Sequence, residues 1–121
     1  MAVALALLLT AVLLLSIAVE QARGGPVDAI RHEFGTGWLG GCMAGIAWRE
    51  SRFDPRAANW GDRHADGSRG SFGALQIGAL WRRPGESVAA FARRMYDPAA
   101  NAALAHRLWR RYGLEPWGGR C

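Results

Sequence analysis

The sequence contains no lysine, and its 15 basic residues are all arginine, against 10 acidic residues and a formal net charge of +5. The glycines at Gly70, Gly73 and Gly78 are followed by no Lys-Ser or Lys-Thr, which argues against a phosphate-binding loop. The positive balance favours polyanionic partners such as cell-wall polymers, membrane surfaces or nucleic acid. Charge alone does not choose among these three.

Histidine and cysteine are also scarce, with three and two residues. The histidines are His32, His64 and His106. Their positions show no metal-ligand spacing with the cysteines, so we expect no metal site and no cofactor. Ser51 has no evident histidine partner in the sequence, and a serine triad therefore has no support.

Charged side chains are missing from Met1 to Val19, a run composed mostly of Leu, Val and Ala. A secretory signal needs an apolar stretch of about 7–15 residues, whereas a membrane span needs about 20. Ser16-Ile17-Ala18 has the small-x-small pattern of a cleavage site, although no basic residue precedes the run. We predict a signal peptide over residues 1–18, or an uncleaved anchor that attaches residues 1–19 to a membrane, and a linker over residues 19–25.

Cys42 and Cys121 are the two cysteines, so a single intramolecular pairing is possible. An exported chain meets an oxidising compartment, where such a pair forms a disulfide. A bridge closing so long a loop would contribute on the order of 4 kcal/mol to stability. The alternative is two free thiols, of which the one at the C-terminus would be exposed and reactive.

Apolar residues at helical spacing dominate the rest of the chain, and we expect a mainly α domain of the α+β kind over residues 26–121. The predicted helices begin near Pro26, Leu39, Ala74, Glu86 and Pro98 and end near Gly35, Glu50, Trp81, Tyr96 and Arg111. Asp97 before Pro98 is typical of an N-cap followed by proline at the first helical position. Between Asn59 and Gly73, turn-forming residues predict a loop or a small irregular hairpin.

Glu50 lies at the predicted C-terminal end of a helix, in the stretch "AWRESRFDP". A carboxylate there meets the negative end of the helix dipole, which disfavours its charged form. Shielding by neighbouring aromatic residues would act in the same direction and suit a carboxylic acid that donates a proton. The alternative is an ordinary surface ion pair between Glu50 and Arg49 or Arg52.

The stretch "IRHEFGTGWLGGCMAGIAWRESRFDPRAANWGDRHADGSRGSFGALQI" resembles the lysozyme-like domain of soluble lytic transglycosylases and the related domain of resuscitation-promoting factors. In that family a Glu-Ser pair ends a helix, and a Gly-x-x-Gln segment returns to the cleft after a variable loop. Glu50-Ser51 and Gly73-Ala74-Leu75-Gln76 match this order. The later segment "YDPAANAALAHRLWRRYG" resembles a helix of the family with an asparagine near its start, matched by Asn101. The resemblance covers about Val27 to Trp117.

The resemblance implies a lysozyme-like fold, with an irregular loop or hairpin bordering a glycan-binding cleft, and cleavage of the MurNAc-GlcNAc β-1,4 linkage of peptidoglycan. Glu50 would be the general acid and then the general base. Ser51 would help to position the N-acetyl group of the substrate. Gln76 would line the cleft beside the scissile linkage, and Phe72 and Gly73 would allow a sugar ring to approach the backbone. Asn101 joins this set as a substrate-binding residue.

The C-terminal end departs from the family pattern. The common Ala-Tyr-Asn motif is missing, and "YGLEPWGGRC" stands in its place, closer to the Trp-and-Cys ending of the proteins that resemble resuscitation-promoting factors. The far wall of the cleft is therefore the part that the resemblance predicts least. Trp117 would be either a stacking platform for a sugar or, as we favour, a packing residue beside the disulfide.

A lysozyme-type retaining mechanism needs a second carboxylate at about 5–5.5 Å from the acid, and an inverting one needs it at about 6.5–9.5 Å. Asp54, Asp62 and Asp66 are the nearby candidates, and Asp54 before Pro55 suits a turn. The resemblance instead implies one glutamate, with the N-acetyl group of the substrate stabilising positive charge and the 6-hydroxyl closing a 1,6-anhydro ring. We expect this transglycosylase reaction rather than hydrolysis.

Two other classes of function stay open. A wall-binding module would keep the fold and the cleft without turnover. A nucleic-acid-binding domain would use the arginines of Trp81–Arg83 and Leu108–Gly113, which at helical spacing more often form a solvated face. We expect a monomer that is secreted or held in the cell envelope, facing peptidoglycan and not nucleic acid.

Overall fold

The protein is described by a computed structural model, which covers residues 3–12 and 24–121. Within these residues the chain is mainly helical with one small sheet. The helices are α1 (residues 3–12), α2 (Pro26–Phe34), α3 (Trp38–Ser51), α4 (Val88–Met95) and α5 (Pro98–Tyr112). The strands are β1 (Ala58–Arg63), β2 (Arg69–Phe72) and β3 (Ile77–Gly78), and short 3-10 helices cover Ala79–Trp81 and Glu115–Trp117.

Helix α1 lies in the segment predicted as an export signal, and its leucine and valine side chains are exposed. The predicted cleavage site after Ala18 and nearly all of the predicted linker lie outside the described residues. No helix among residues 3–12 and 24–121 is long and apolar enough to cross a membrane.

The core forms where α2, α3, α4 and α5 meet the sheet. Its fully buried members include Ile30, Met43, Ile46, Phe91 and Met95. Helix α3 approaches the end of α2 closely at Gly40. Glycine permits this approach, because any side chain at this position would collide with the carbonyl oxygen of Gly35. Close packing thus accounts for Gly40, whereas Gly41 and Gly45 face open space and lower the helix propensity of α3 without such a contact.

Two of the predicted helices begin at well-formed caps. The Asp97 carboxylate accepts a hydrogen bond from the Ala100 amide at 2.9 Å, and Pro98 opens α5, as the sequence predicted. Helix α4 begins later than predicted, at Val88, because the Ser87 hydroxyl caps it by accepting from the Ala90 amide at 3.1 Å.

The predicted irregular hairpin is confirmed as strands β1 and β2, and β3 extends it to a three-stranded antiparallel sheet in the order β1-β2-β3. Asn59 pairs with Ser71 and Arg63 pairs with Arg69, and the register shifts between these pairs. This irregularity is a bulge, which bends the strand and redirects its side chains. All of β1 is exposed, whereas β2 enters the core at Gly70.

The predicted helix from Ala74 to Trp81 is wrong. A tight turn over residues 73–76 is followed by β3 and then by the 3-10 helix. Gly73 and Gln76 have φ angles of 81° and 50°, in the left-handed region, and a helix cannot pass through such residues. The apolar residues of this segment are buried by a turn and a short strand instead.

The predicted disulfide between Cys42 and Cys121 is present, with 5.1 Å between the Cα atoms, and it ties the C-terminus to α3. Arg49 reinforces this attachment, because its guanidinium donates to the Trp117 carbonyl at 2.8 Å and to the Cys121 carbonyl at 3.3 Å. The Trp117 indole in turn donates to the Leu75 carbonyl at 2.8 Å. The C-terminal segment is therefore fixed both to a helix and to the turn before β3.

Replacing both cysteines, as in Cys42→Ser/Cys121→Ser, should lower the free energy of unfolding by about 4 kcal/mol, because the bridge closes a loop across 79 residues. Urea unfolding followed by circular dichroism measures the difference. The parent protein unfolded under reducing conditions should match the double variant. Equal stability of the variant and the oxidised parent would contradict the prediction.

Glu86 precedes α4 and pairs with Arg94 on that helix through two hydrogen bonds of 2.7 and 2.9 Å. These bonds, followed by one from the Arg83 amide, outweigh the desolvation of the carboxylate and lower the pKa of Glu86 from 4.5 to about 2. The same hydrogen bonds raise the pKa of Arg94. The pair holds the loop before α4 onto the helix.

A carboxylate whose pKa is depressed by folding stabilises the protein above its unfolded pKa and loses this contribution as the pH falls. For Glu86 the loss should occur between pH 4.5 and pH 2. The difference in unfolding free energy between the parent and Glu86→Gln should therefore shrink across this interval in urea titrations. Arg94→Gln, which breaks the same pair, should behave alike, and a difference independent of pH would disprove the assignment.

Candidate functional site

A cleft of about 360 Å³ lies between the sheet, the C-terminal end of α3 and the C-terminal segment of the chain. Its polar lining comprises Glu50, Asn59, Asp62, His64, Ser71 and Gln76. Its apolar lining includes Leu80, Trp81, Leu108, Pro116 and Trp117. Polar groups thus come mainly from the hairpin side, and apolar groups from the segment after β3 and from the C-terminal end.

Glu50 lies in the last turn of α3, and its side chain is 33% exposed. The helix ends there because Arg52 and Phe53 both adopt left-handed φ angles, of 55° and 61°. The Nε atom of Arg49 lies 3.6 Å from the Glu50 carboxylate. The surface pairing left open as an alternative is therefore present, although Glu50 also faces the cleft.

Ser51, which the resemblance implied would hold a substrate group, is engaged with the backbone. Its hydroxyl lies 2.7 Å from the Ala74 carbonyl and 3.0 Å from the Ala47 carbonyl, and its single proton is shared between them. The contact with Ala74 ties the end of α3 to the turn before β3. Ser51 thus brings Glu50 and Gln76 into one site.

Gln76 lines the cleft, and its geometry follows from the turn that carries it. Its side-chain amide donates to the Ala57 carbonyl at 3.1 Å and to the Gly73 carbonyl at 3.0 Å. Both contacts use the nitrogen, so the side-chain oxygen of Gln76 stays available to a ligand. Glu50 and Gln76 line the same cleft, and their roles in it stay predictions.

Phe72, Gly73 and Asn101 lie in the interior behind this turn. Asn101 is 1% exposed, and its amide accepts from the Leu75 amide at 3.0 Å and donates to the Phe72 carbonyl at 3.0 Å. A side chain at Gly73 would collide with Asn101 and with the Met95 carbonyl. Their contact with substrate stays a prediction, and the burial of all three suits an indirect role in shaping the turn.

The three aspartates considered as second carboxylates have different surroundings. Asp54 accepts from the Arg56 amide at 2.9 Å, which is the turn role that the sequence suggested. Asp66 accepts from the Ser68 hydroxyl and amide, and these hydrogen bonds lower the pKa of its carboxyl. Asp62 alone among them lines the cleft, where the Ser71 hydroxyl donates to it at 2.5 Å.

Several residues of the cleft were missed by the sequence reasoning. His64 has Nε2 at 2.8 Å from the Gly70 carbonyl, and a carbonyl only accepts, so this nitrogen carries the proton. Trp81 lines the cleft and contacts Tyr112, with 5.2 Å between ring centroids. Asn59 lies opposite Ser71 in the hairpin, a pairing that a hairpin prediction could have included. The bulge that determines the position of Asp62 has no signal in the sequence.

Trp117 is 6% exposed, and its indole nitrogen is engaged with the Leu75 carbonyl. These contacts agree with the packing role that we favoured, and the ring also borders the cleft.

Among the residues that the structure describes, no cluster of three or more His, Cys, Asp or Glu side chains is arranged to hold a metal ion. The polar side chains that line the cleft carry carboxylate, amide, imidazole and hydroxyl groups.

Comparisons with models of protein families, with characterised proteins and with solved structures find no match to this chain.

Asn101→Ala should lower the free energy of unfolding by about 2–5 kcal/mol, because it removes two buried hydrogen bonds, to the Phe72 carbonyl and from the Leu75 amide. Thermal and urea unfolding measure the loss. Asn59→Ala removes an exposed asparagine of the cleft and should change stability by less than about 1 kcal/mol. Similar stability losses in the two variants would show that Asn101 does not hold the turn.

Proposed function

We propose that this chain is an exported enzyme that cleaves the MurNAc-GlcNAc β-1,4 linkage of peptidoglycan as a lytic transglycosylase, with Glu50 as general acid and base. One observation carries the proposal. Glu50 and Gln76, which the resemblance assigns to one catalytic cleft, line the same cleft although 26 positions separate them, and Ser51 joins their two segments. The Cys42–Cys121 disulfide is compatible with export.

The lining of the cleft suits a polyhydroxylated ligand. Carboxylate, amide and hydroxyl groups on the hairpin side offer hydrogen bonds to sugar hydroxyls and acetamido groups. Trp81 and Pro116, which also line the cleft, offer apolar surfaces against which the face of a pyranose ring packs. In the proposed complex, Glu50 would reach the oxygen that links two sugars.

In the proposed reaction, the protonated Glu50 donates its proton to the glycosidic oxygen while the bond from that oxygen to the anomeric carbon breaks. The acetamido oxygen of the same sugar bonds to the anomeric carbon and carries the positive charge to the amide. Glu50, now a carboxylate, accepts the proton of the 6-hydroxyl, whose oxygen displaces the acetamido oxygen. The product is a 1,6-anhydro sugar, and no water is consumed.

Two alternatives have observations in their favour. Asp62 gives the cleft a second carboxylate, as a lysozyme-type hydrolase requires. The 3.6 Å contact between Arg49 and Glu50 favours a non-catalytic wall-binding module in which Glu50 is a surface ion-pair partner. Both alternatives keep peptidoglycan as the partner. The hydrolase would release reducing-end products, and the binding module would release none.

Glu50→Gln should abolish glycan cleavage, with a loss of at least about 100-fold in rate, because an amide cannot exchange a proton with the leaving oxygen. The measurement is mass spectrometry of purified peptidoglycan digested with the oxidised, full-length protein. Glu115→Gln, an exposed glutamate outside the cleft lining, is the matched control and should cleave like the parent.

The products separate the three readings. Anhydro-muropeptides that depend on Glu50 would establish the transglycosylase, and reducing-end products would establish a hydrolase. A folded, oxidised parent that binds peptidoglycan without cleaving it would leave only the binding module. Cleavage by Glu50→Gln at the parent rate would rule out Glu50 as the acid.

A further inference from the structure

Because Ser51 is bound to backbone carbonyls, another residue is needed to position the acetamido group of the substrate in the proposed reaction. The acetamido group of the substrate must be held so that its oxygen faces the anomeric carbon, and its amide proton then points away from the reaction. Ser51 is engaged with the Ala47 and Ala74 carbonyls and does not line the cleft. Another acceptor in the cleft is therefore needed, and the candidates include the side-chain oxygen of Gln76 and the Asp62 carboxylate, of which Asp62 carries the charge; this inference rests on the proposed function.

Asp62 is the carboxylate with the surroundings for this task. Among the residues that line the cleft, Glu50 and Asp62 are the two that carry carboxylates. Asp62 forms no ion pair with any arginine in the described part of the chain, whereas Glu86 and Asp66 each lie against one. A carboxylate unpaired in a strongly basic chain keeps its charge available to a ligand.

Ser71 fixes the orientation of this carboxylate. Its hydroxyl donates to Oδ2 of Asp62 at 2.5 Å, and Ser71 is 4% exposed in β2. The backbone of Ser71 is held on both sides, because it pairs with Asn59 of β1 and with Gly78 of β3. A buried, doubly paired residue thus holds one oxygen of Asp62 and leaves Oδ1 for the ligand.

We propose that Asp62 accepts a hydrogen bond from the acetamido N–H of the sugar whose anomeric carbon reacts, with Ser71 as its positioning residue. When the acetamido oxygen bonds to the anomeric carbon, the electron pair of the breaking bond leaves with the glycosidic oxygen, which Glu50 protonates. The positive charge then spreads onto the acetamido nitrogen, directly beside the Asp62 carboxylate. The interaction strengthens as the charge develops, and such an interaction accelerates the reaction.

Asp62 would contribute both a negative charge and a hydrogen-bond acceptor, and two substitutions of Asp62 test these contributions separately. Asp62→Asn keeps an oxygen that accepts the N–H and removes the negative charge, so kcat should fall by about 100-fold while KM changes little. Asp62→Ala removes both and should also raise KM. Ser71→Ala should lower kcat by about tenfold through loss of the positioning hydrogen bond.

Asp66→Asn is the matched control, because Asp66 is a hairpin aspartate that accepts from a serine but does not line the cleft. It should retain the kcat and KM of the parent. All variants are prepared as oxidised, full-length chains, and circular dichroism and thermal unfolding verify that each is folded. Rates are measured on purified peptidoglycan, and calorimetry measures the binding of tetra-N-acetylchitotetraose and of cellotetraose, which carries hydroxyls in place of the acetamido groups.

The outcomes distinguish this assignment from the proposed function. The parent and Asp66→Asn should prefer the N-acetylated tetrasaccharide, and Asp62→Ala should lose that preference. Loss of cleavage in Glu50→Gln together with full activity in Asp62→Asn would overturn the role of Asp62 alone. A parent that neither cleaves peptidoglycan nor binds the tetrasaccharide would overturn both proposals.

Discussion

The hydrogen bonds of the Asn101 amide hold together the part of the protein on which the cleft depends. A turn that reverses the chain between two short strands leaves backbone groups that neither strand can pair, and burial makes such groups costly. Asn101 reaches from α5 to the Phe72 carbonyl and the Leu75 amide and satisfies both. The turn that carries Gln76 is therefore held by a residue of another element.

The sequence predicted the helices and the hairpin for reasons that are local. Apolar spacing marks α2 and α3, and the Asp97-Pro98 pair marks the start of α5 because capping is decided within one turn of helix. The segment from Ala74 to Trp81 was predicted wrongly because its conformation is decided by distant partners. Its backbone is bound by the Asn101 amide, the Ser51 hydroxyl and the Trp117 indole, which no local pattern connects to it.

The candidate site was predictable to a similar extent. The resemblance, which rests on the order of Glu50, Ser51 and Gln76, implied that Glu50 and Gln76 share a cleft, but it did not imply the hydrogen bonds of Ser51 and Gln76. Ser51 and Asn101 were expected to contact a substrate, which stays a prediction, and the structure shows that both hold backbone groups of the turn. A polar residue near a cleft can bind a ligand or hydrogen-bond to the backbone that forms the cleft. The sequence shows that the residue is polar but does not show which of these contacts it makes.

The attachment of the C-terminal segment has a consequence for the order of assembly. Pro116 and Trp117 supply one wall of the cleft, and their attachment requires Arg49 and a disulfide to a helix made much earlier in synthesis. The hairpin and α3 precede this wall along the chain, so they are synthesised before it. A chain without the disulfide would lose the covalent tie between this wall and α3, so the walls of the cleft beside Glu50 are covalently joined only where the environment oxidises thiols.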